Sequence, residues 1–556
     1  MRRVASGMTA LALLALAACT PATAHRPDAG PGTPAPKGTQ TRAAGPQADY
    51  LVFYADGKQS QAMAAVTQAG GTSVGEDARL GYLLARGARD GFAESVGGDP
   101  SVVGVSPDRS IGHATAEPVR SFPDGSALRA ARASGEPLAG RQWDMRMIGA
   151  DRAHAKAPGS KDVLVAVIDT GIDGKHPDIA PNFDRELSRN FVTDKPKDDN
   201  GETLDGPCEA AGCKDPVDED DDGHGTHVAS TIASPVNGIG IAGVAPGVRL
   251  VNVRAGQDSG FFFLKPSLDA LAYAADIGAD VANLSYYVDP WLFNCARNPG
   301  DSRKEQLEQQ AVITGMQRAV DYARKKGVTI VSALGNGSSD LGDPKVDDKS
   351  PGYPEGSQKT RKVDNTCINV PAESDGVISV SALGPSGRKA VYSDYGVEQT
   401  DVAAPGGDAV DGKGAKATRS ILAAAPERAL RAAGRLDADG RPKGSDVVRD
   451  CSGGSCSYYQ YLDGTSMAAP HATGVAALLV SRFGKPAPGG GLTLDPATVE
   501  KYLYASADRR SCPTPRQYVY QSYGQSETHT CQGDEADNGF FGHGIVDAWK
   551  AVTFEP

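Results

Sequence analysis

The sequence has no CxxC pair, no internal repeat, no excess of basic residues and no apolar run long enough to span a bilayer. Each absence closes a class of function. Zinc sites built on cysteine present paired thiols at short spacing, and that frame is missing here. Without self-similarity the chain is not a solenoid or a propeller. A formal net charge of −12 leaves nothing to neutralise phosphate, so nucleic acid is not an expected partner. The amino-terminal apolar run, residues 8–18, falls short of the roughly 20 residues a spanning helix needs. What is there is the composition of a soluble globular protein, 40% hydrophobic and 23% charged, in 556 residues, a length that implies more than one domain. The acidic run at residues 218–222 reads as a solvated face, with a cation site as the alternative.

Three strings stand out, in this order: VAVIDTGIDGKHPDI (residues 165–179), GHGTHVAST (223–231) and GTSMAAPHATG (464–474). They place Asp169, His224 and Ser466 in glycine-rich turns beside regular structure. A hydroxyl nucleophile needs a base, and the base needs a buried anion to hold its tautomer and stabilise its charge. The apolar run 163–168 predicts a buried parallel strand with Asp169 at its carboxyl end, the edge where open α/β sheets collect functional groups. Ser466 opens an apolar helical pattern (Met467, Ala468, Val475, Leu478, Leu479), whose amino-terminal dipole would face a developing oxyanion. The run 328–334 predicts another buried strand and ends in Gly335-Asn336-Gly337, which alone would be only a turn signal. His227 follows His224 by three residues with no Glu between, unlike the spacing of helical zinc ligands. It and His471 are expected to be structural.

At these residues the chain resembles the subtilisin-like serine proteases, from about residue 142 to the carboxyl terminus. The resemblance implies an α/β, parallel-sheet subtilisin-like catalytic domain. In it Asp169 would orient His224, His224 would act as base and then acid, and Ser466 would be the nucleophile. Asn336 would donate its amide to the oxyanion together with the Ser466 N–H. The family's substrate-pairing strand here reads Asn283-Leu284-Ser285-Tyr286-Tyr287, so Ser285 and Gly335 border the substrate, and Tyr286 and Tyr287 stand where glycines are usual and would fill or redirect the pocket. Chemistry requires no cofactor. A structural calcium ion is implied at Asp178, the Asn237 side chain and the carbonyls of Pro235, Ile239 and Ile241, with Gln142 as a further donor; the alternative is that these residues only shape a turn.

The amino terminus carries Arg2 and Arg3, then the apolar run, then Leu16-Ala17-Ala18-Cys19, which looks like a bacterial lipobox with Cys19 as the lipidated residue; a plain signal peptide is the alternative. Removing Cys19 leaves eight of nine cysteines, an even number that suits an oxidising compartment. Sequence leaves their connectivity open, but spacing suggests Cys208 with Cys213, Cys451 with Cys456 and Cys512 with Cys531, which leaves Cys295 with Cys367.

The predicted organisation is a signal peptide (1–18), a Pro/Ala/Gly/Thr-rich disordered tether (19–47), a small α+β unit (48–112) resembling the family's ferredoxin-like inhibitory propeptide, a processing linker (113–141) and the catalytic domain (142–556). Strand-like and helical runs alternate from residue 162 onward, which implies βαβ units and a parallel sheet. The segments 288–311, 339–371 and 407–461 exceed ordinary loops and would narrow access to a cleft. The expectation is therefore an extracellular serine endopeptidase, lipid-anchored before maturation and released afterwards. It would be made as a self-processing zymogen, with protein or peptide substrates and its own propeptide as partners, and would touch the membrane only through the anchor. Alternatives are a narrow processing peptidase, a transamidase, or a catalytically silent module. Acid-active relatives are set aside because His224 stands where they would carry a Glu.

Overall fold

The structure, a computed structural model, describes residues 46–108, 117–118, 135–198, 201–354, 356–452, 454–487, 490–522 and 525–556. The expected signal peptide, Cys19, nearly all of the tether and most of the linker lie outside the described residues. Among the described residues no helix is long and apolar enough to cross a membrane.

The amino-terminal unit is a four-stranded antiparallel sheet, β1 (Gln47–Tyr54), β2 (Thr72–Asp77), β3 (Tyr82–Ala88) and β4 (Val102–Pro107), in the order β2-β3-β1-β4. Helices α1 (Gln59–Gln68) and α2 (Phe92–Val96) cover one face. The period-2 alternation of β1 explains how one strand serves two cores. Tyr50, Val52 and Tyr54 pack with Val66 and Phe92, whereas Leu51 and Phe53 turn to the main body of the protein. Strand β2 escaped the sequence reading because Thr-Ser-Val-Gly-Glu-Asp has almost no buried residue; as an edge strand it is held by its ladder to β3 and little else.

The main body is a seven-stranded sheet. Its strands are β5 (Leu164–Ile168), β6 (Arg189–Asn190), β7 (Arg249–Arg254), β8 (Val281–Leu284), β9 (Thr329–Ala333), β10 (Val377–Leu383) and β11 (Val402–Pro405), in the order β11-β10-β9-β8-β5-β7-β6. Every pairing in it is parallel. Such strands are buried on both faces, which is why β5 reads as an unbroken apolar run. Val165 and Val167 face one core, with α3 (His224–Ala233) and α7 (Thr465–Phe483). Leu164, Ala166 and Ile168 face the other, with α4 (Leu264–Asp276) and α5 (Arg303–Lys325). The helical pattern of residues 307–326 predicts a later start for α5, which begins at Arg303 because Ser302 and Glu305 form a capping box on its first turn.

The amino-terminal sheet sits on α4 and α5. Strand β4 approaches α5 so closely that a Cβ on Gly104 would stand 2.6 Å from the Ala311 backbone nitrogen, and Arg318 of α5 donates to the carbonyls of Tyr54 and Gly81, both at 2.9 Å. A third, antiparallel sheet carries β12 (Ile421–Ala424), β13 (Val447–Asp450) and β14 (Ser457–Asp463), with the short helix α6 (Glu427–Ala432) between β12 and β13. The two-residue strand Glu117–Pro118 pairs antiparallel with Leu462–Asp463 of β14.

Four disulfides join Cys208 to Cys213, Cys295 to Cys367, Cys451 to Cys456 and Cys512 to Cys531. The Cys295–Cys367 bridge ties two of the long segments together, and Arg361 reinforces it from inside. Its guanidinium, 2% exposed, donates to Asp301 at 2.7 Å, Asp347 at 2.5 Å and the Phe293 carbonyl at 2.7 Å, and lies 4.7 Å from the Trp291 ring centre.

Candidate active site

Strand β5 delivers Asp169 to the carboxyl edge of the sheet, fully buried, with its carbonyl taking the N–H groups of Ala255 and Gly256 from the end of β7. Its Oδ1 accepts from His224 Nδ1 at 2.7 Å and from the Thr170 N–H at 2.8 Å. The second string brings His224 in as the first residue of α3, after Gly223 in the left-handed region at φ 99°. Gly225 is obligatory: a Cβ there would stand 2.1 Å from the Gly171 carbonyl. The glycines of the two motifs thus exist so that two backbones can touch, and the touching brings carboxylate and imidazole into range. Burial pulls the His224 imidazole down, but the charge and hydrogen bond of Asp169, with Asp222 and Asp220 behind, outweigh it and leave the group above its ordinary value.

Ser466 is the second residue of α7 and is 3% exposed. Its hydroxyl donates to the Ser285 carbonyl at 3.1 Å, and Ser285 Oγ donates back to the Ser466 carbonyl at 3.1 Å. That carbonyl is open because Pro470, one turn on, has no N–H to give it. The Nε2 of His224 is buried and has no hydrogen-bond partner, so the Asp–His half of the constellation is closed while the Ser466 hydroxyl is turned to the Ser285 carbonyl. Asn336, at the end of β9, accepts at Oδ1 from the Thr465 N–H (2.9 Å) and hydroxyl (2.8 Å). This fixes the amide so that its nitrogen faces the other way. A Cβ built on Gly464 would lie 3.5 Å from the Ser466 nitrogen and 3.6 Å from Asn336 Nδ2, so the two nitrogens border the same space next to Gly464.

Several expectations change. Asp218 and Asp220, read as part of a solvated face, are each 2% exposed. Asp220 takes the Thr170 hydroxyl, the Gly223 and Thr226 N–H groups and the Thr226 hydroxyl, so it staples the Asp169 turn to the His224 turn. The run looked solvated because charge density alone does not show that two backbone N–H groups and two hydroxyls converge on Asp220. Tyr286 does not fill the cleft. Strand alternation sends it inward, where it stacks on Phe262 with centroids 3.9 Å apart. Tyr287 alone of the pair lines a cavity of about 640 Å³, with Phe261, Tyr353, Leu292, Gly335 and Asn336. His227 donates its Nε2–H to the carbonyls of Ile421 and Gln460, and burial pushes it down to about 3. His471 bridges the Met467 carbonyl and Asp144 behind the Ser466 helix.

The residues implied for calcium converge only in part. Asp178 Oδ2 accepts from the Ile241 N–H and the Tyr459 hydroxyl, both at 3.0 Å, and its Oδ1 is buried without a partner. Burial raises this carboxyl to about 8. Asn237 turns its oxygen onto the Ile239 N–H, and Gln142 spends its own on the Ala242 N–H, so neither amide is an open ligand. A residue the sequence reading passed over stands in their place. Glu136 is 2% exposed, bonded to the Gly238 N–H at 3.1 Å, with its other oxygen buried and unpartnered. Asp178 and Glu136 come from separate segments, bond to the same loop at Ile241 and Gly238, and each keeps one unpartnered carboxylate oxygen, a donor chemistry that would fit a hard cation.

The subtilase family model matches residues 160–544. A thermophilic serine proteinase from Bacillus sp. (strain AK1) is 30% identical over 344 residues, 62% of this chain and 58% of that protein. Fervidolysin from Fervidobacterium pennivorans is 29% identical over 370 residues, 64% of this chain and 39% of that protein. The matched part thus spans well under two thirds of the length of both relatives. Among solved structures, an epidermin leader peptide processing serine protease (EpiP) from Staphylococcus aureus has the same fold, with a TM-score of 0.58 at 21% identity over 92% of this chain and 98% of that one.

Proposed function

This chain belongs to the subtilase family, and from that premise we propose that it is a serine endopeptidase in which Asp169, His224 and Ser466 act as one unit. The observation that carries the reading is the 2.7 Å contact between Asp169 Oδ1 and His224 Nδ1 beside the paired donors of Asn336 and Ser466. Rotation of the Ser466 side chain from the Ser285 carbonyl toward the open His224 Nε2 readies the nucleophile. Its oxygen then attacks the peptide carbonyl carbon, and its proton passes to Nε2. Negative charge on the carbonyl oxygen is received by the Asn336 amide and the Ser466 N–H. His224 returns the proton to the leaving amine, giving an acyl-enzyme, and a water molecule activated by the same nitrogen releases the acid. Ser285 and Gly335 border the acyl side, and Tyr287 with the walls at Leu292 and Tyr353 restricts which side chain enters. That restriction favours a narrow processing role over broad digestion.

The α+β unit over residues 48–112 is read as an inhibitory propeptide and residues 113–141 as its processing linker. Two features support this: the unit's apolar face lies on α4 and α5, and Glu117–Pro118 pairs with β14, three residues before Ser466. In this reading the protein is exported, with Cys19 as the lipid-bearing residue, and cleavage of the linker releases the enzyme from its anchor. A divalent cation held by Asp178 and Glu136 would brace the loop and take no part in the chemistry. The test is the Ser466→Ala variant. Wild type should be labelled by a fluorophosphonate probe at Ser466 and shortened to a new amino terminus within residues 113–141. The variant should be unlabelled and full-length. A wild-type protein that neither labels nor hydrolyses any peptide of a random library refutes the reading.

A further inference from the structure

Asn336 can serve an oxyanion only if the turn that carries it keeps its shape, and that turn is not self-supporting. Gly335 sits at φ 128° and Ser338 at φ 58°, a conformation that costs a non-glycine residue energy and persists only when surroundings impose it. The surroundings here are the segment 390–395, which follows β10. Its backbone is zipped to the turn: Asp394 N–H to the Gly335 carbonyl at 2.9 Å, Ser338 N–H to the Tyr392 carbonyl at 2.8 Å and Tyr395 N–H to the Ser339 carbonyl at 3.0 Å. The Asp394 carboxylate, 1% exposed, lies directly beneath. Its Oδ1 takes the Ser339 N–H at 2.7 Å, and the Gly337 N–H also bonds to it. A Cβ on Gly335 would stand 2.2 Å from Oδ2, and one on Gly337 would stand 3.1 Å from Oδ1. The residues on either side of Asn336 are therefore seated on one carboxylate.

The supporting segment has its own anchor. Lys389 is fully buried, and its ammonium donates to the carbonyls of Ala390 (2.9 Å) and Ser393 (2.5 Å) and lies 4.9 Å from the Tyr395 ring centre. The buried amine is bound to the turn that ends in Asp394 and holds its backbone in place; burial pulls Lys389 down to about 7 and pushes Asp394 up to about 7, each partly countered by the charge of the other. Neither residue belongs to the three motif strings.

We propose that Asp394 is a positioning residue for the oxyanion turn, holding Gly335–Ser339 so that Asn336 donates where charge develops, with Lys389 fixing the segment from which it acts. The proposal rests on the serine-peptidase reading above and deepens it. Asp394 touches neither substrate nor nucleophile; it acts through Asn336.

The test uses the matured enzyme, with a substrate selected from a peptide library and the aldehyde and alcohol of the same peptide as inhibitors. The aldehyde forms an oxyanion with Ser466 and the alcohol does not. Asp394→Ala should lower kcat about 100-fold, the scale of a small misplacement of a catalytic group, with KM little changed. It should weaken the aldehyde in step with kcat and leave the alcohol unaffected. Asp394→Asn retains an acceptor for the Ser339 N–H and should stay within about tenfold of wild type. In an Asn336→Ala background, Asp394→Ala should cost less than about threefold, because the two act as a unit. Should the alanine variant fail to fold, Asp394→Ser, too short to reach Ser339, carries the same expectations. Equal losses in both backgrounds, or equal weakening of aldehyde and alcohol, overturn the proposal. A wild-type enzyme with no activity refutes the peptidase reading; an active one with an indifferent Asp394→Ala refutes only this inference.

Discussion

Replacing Asp169 by Asn separates two roles of the buried carboxylate, holding a tautomer and supplying a charge. In many such sites an amide can flip and present its NH2 to the imidazole, which costs about 10⁴ in rate through the wrong tautomer. Here the Thr170 N–H, 2.8 Å from Oδ1, already donates to the oxygen that faces His224 Nδ1. The other oxygen, Oδ2, has no donor aimed at it. An Asn side chain therefore keeps its oxygen toward both N–H groups, with NH2 at the Oδ2 position, and His224 keeps its tautomer. Only the charge is lost. Two unit charges about 4 Å apart at an effective dielectric of about 20 interact by about 4 kcal/mol, which is about three decades in rate. The Asp169→Asn enzyme should lose about 10³-fold in kcat/KM near neutral pH, less than a tautomer flip would cost. The acid limb of its pH profile should also move. The His224 imidazole is held above its ordinary value by Asp169 against the pull of burial. Without that charge it deprotonates at lower pH, so the neutral base persists further into acid. Steady-state kinetics across pH 4–10 would read both effects. A loss under about tenfold, or an acid limb that stays put, would show that the carboxylate does not act through His224.

Other expectations are simpler to check. Arg361→Met leaves Asp347 buried without its cation, while Asp301 keeps Lys359 at 3.0 Å, a loss of about 3–5 kcal/mol; hydrogen exchange over residues 346–368 should speed by at least about 100-fold, and unchanged exchange would mean that Arg361 does not hold the segment. If Asp178 and Glu136 hold a cation, adding a chelator should lower the thermal midpoint of the wild type and have no effect on a Glu136→Gln variant. A wild-type midpoint indifferent to chelator removes the cation from the account.

The elements whose residues face the core on a fixed period were legible. Strand β5 is apolar at every position because both of its faces are covered, and α1 and α2 of the amino-terminal unit coincide with the helical patterns of residues 59–68 and 92–96. Elements held by ladder bonds, such as β2, or begun by a polar cap, such as α5, carry little hydrophobic signal and were missed or started late. The same limit applies within the site. Glu136 and Asp394 owe their place to backbone N–H groups from another part of the chain, and Asp220 is tied to the Asp169 turn by a distant hydroxyl, that of Thr170; no local pattern announces these contacts.

Sequence alone determined the inventory: an Asp, a His, a Ser and an Asn, each in a glycine-rich turn, on a chain of alternating strands and helices, with cysteines in even number once Cys19 is set apart. It could do so because a turn with close backbone contacts admits few residues, and those residues are visible. Tertiary structure decided the rest: that Asp169 meets His224 at 2.7 Å, that Tyr286 leaves the cleft while Tyr287 stays, and that a carboxylate from residue 394 lies under the turn that carries Asn336. These outcomes depend on which distant N–H groups, rings and carbonyls reach the same point. Such convergence is a property of the packed sheet and its connections, and it leaves no trace in the order of residues.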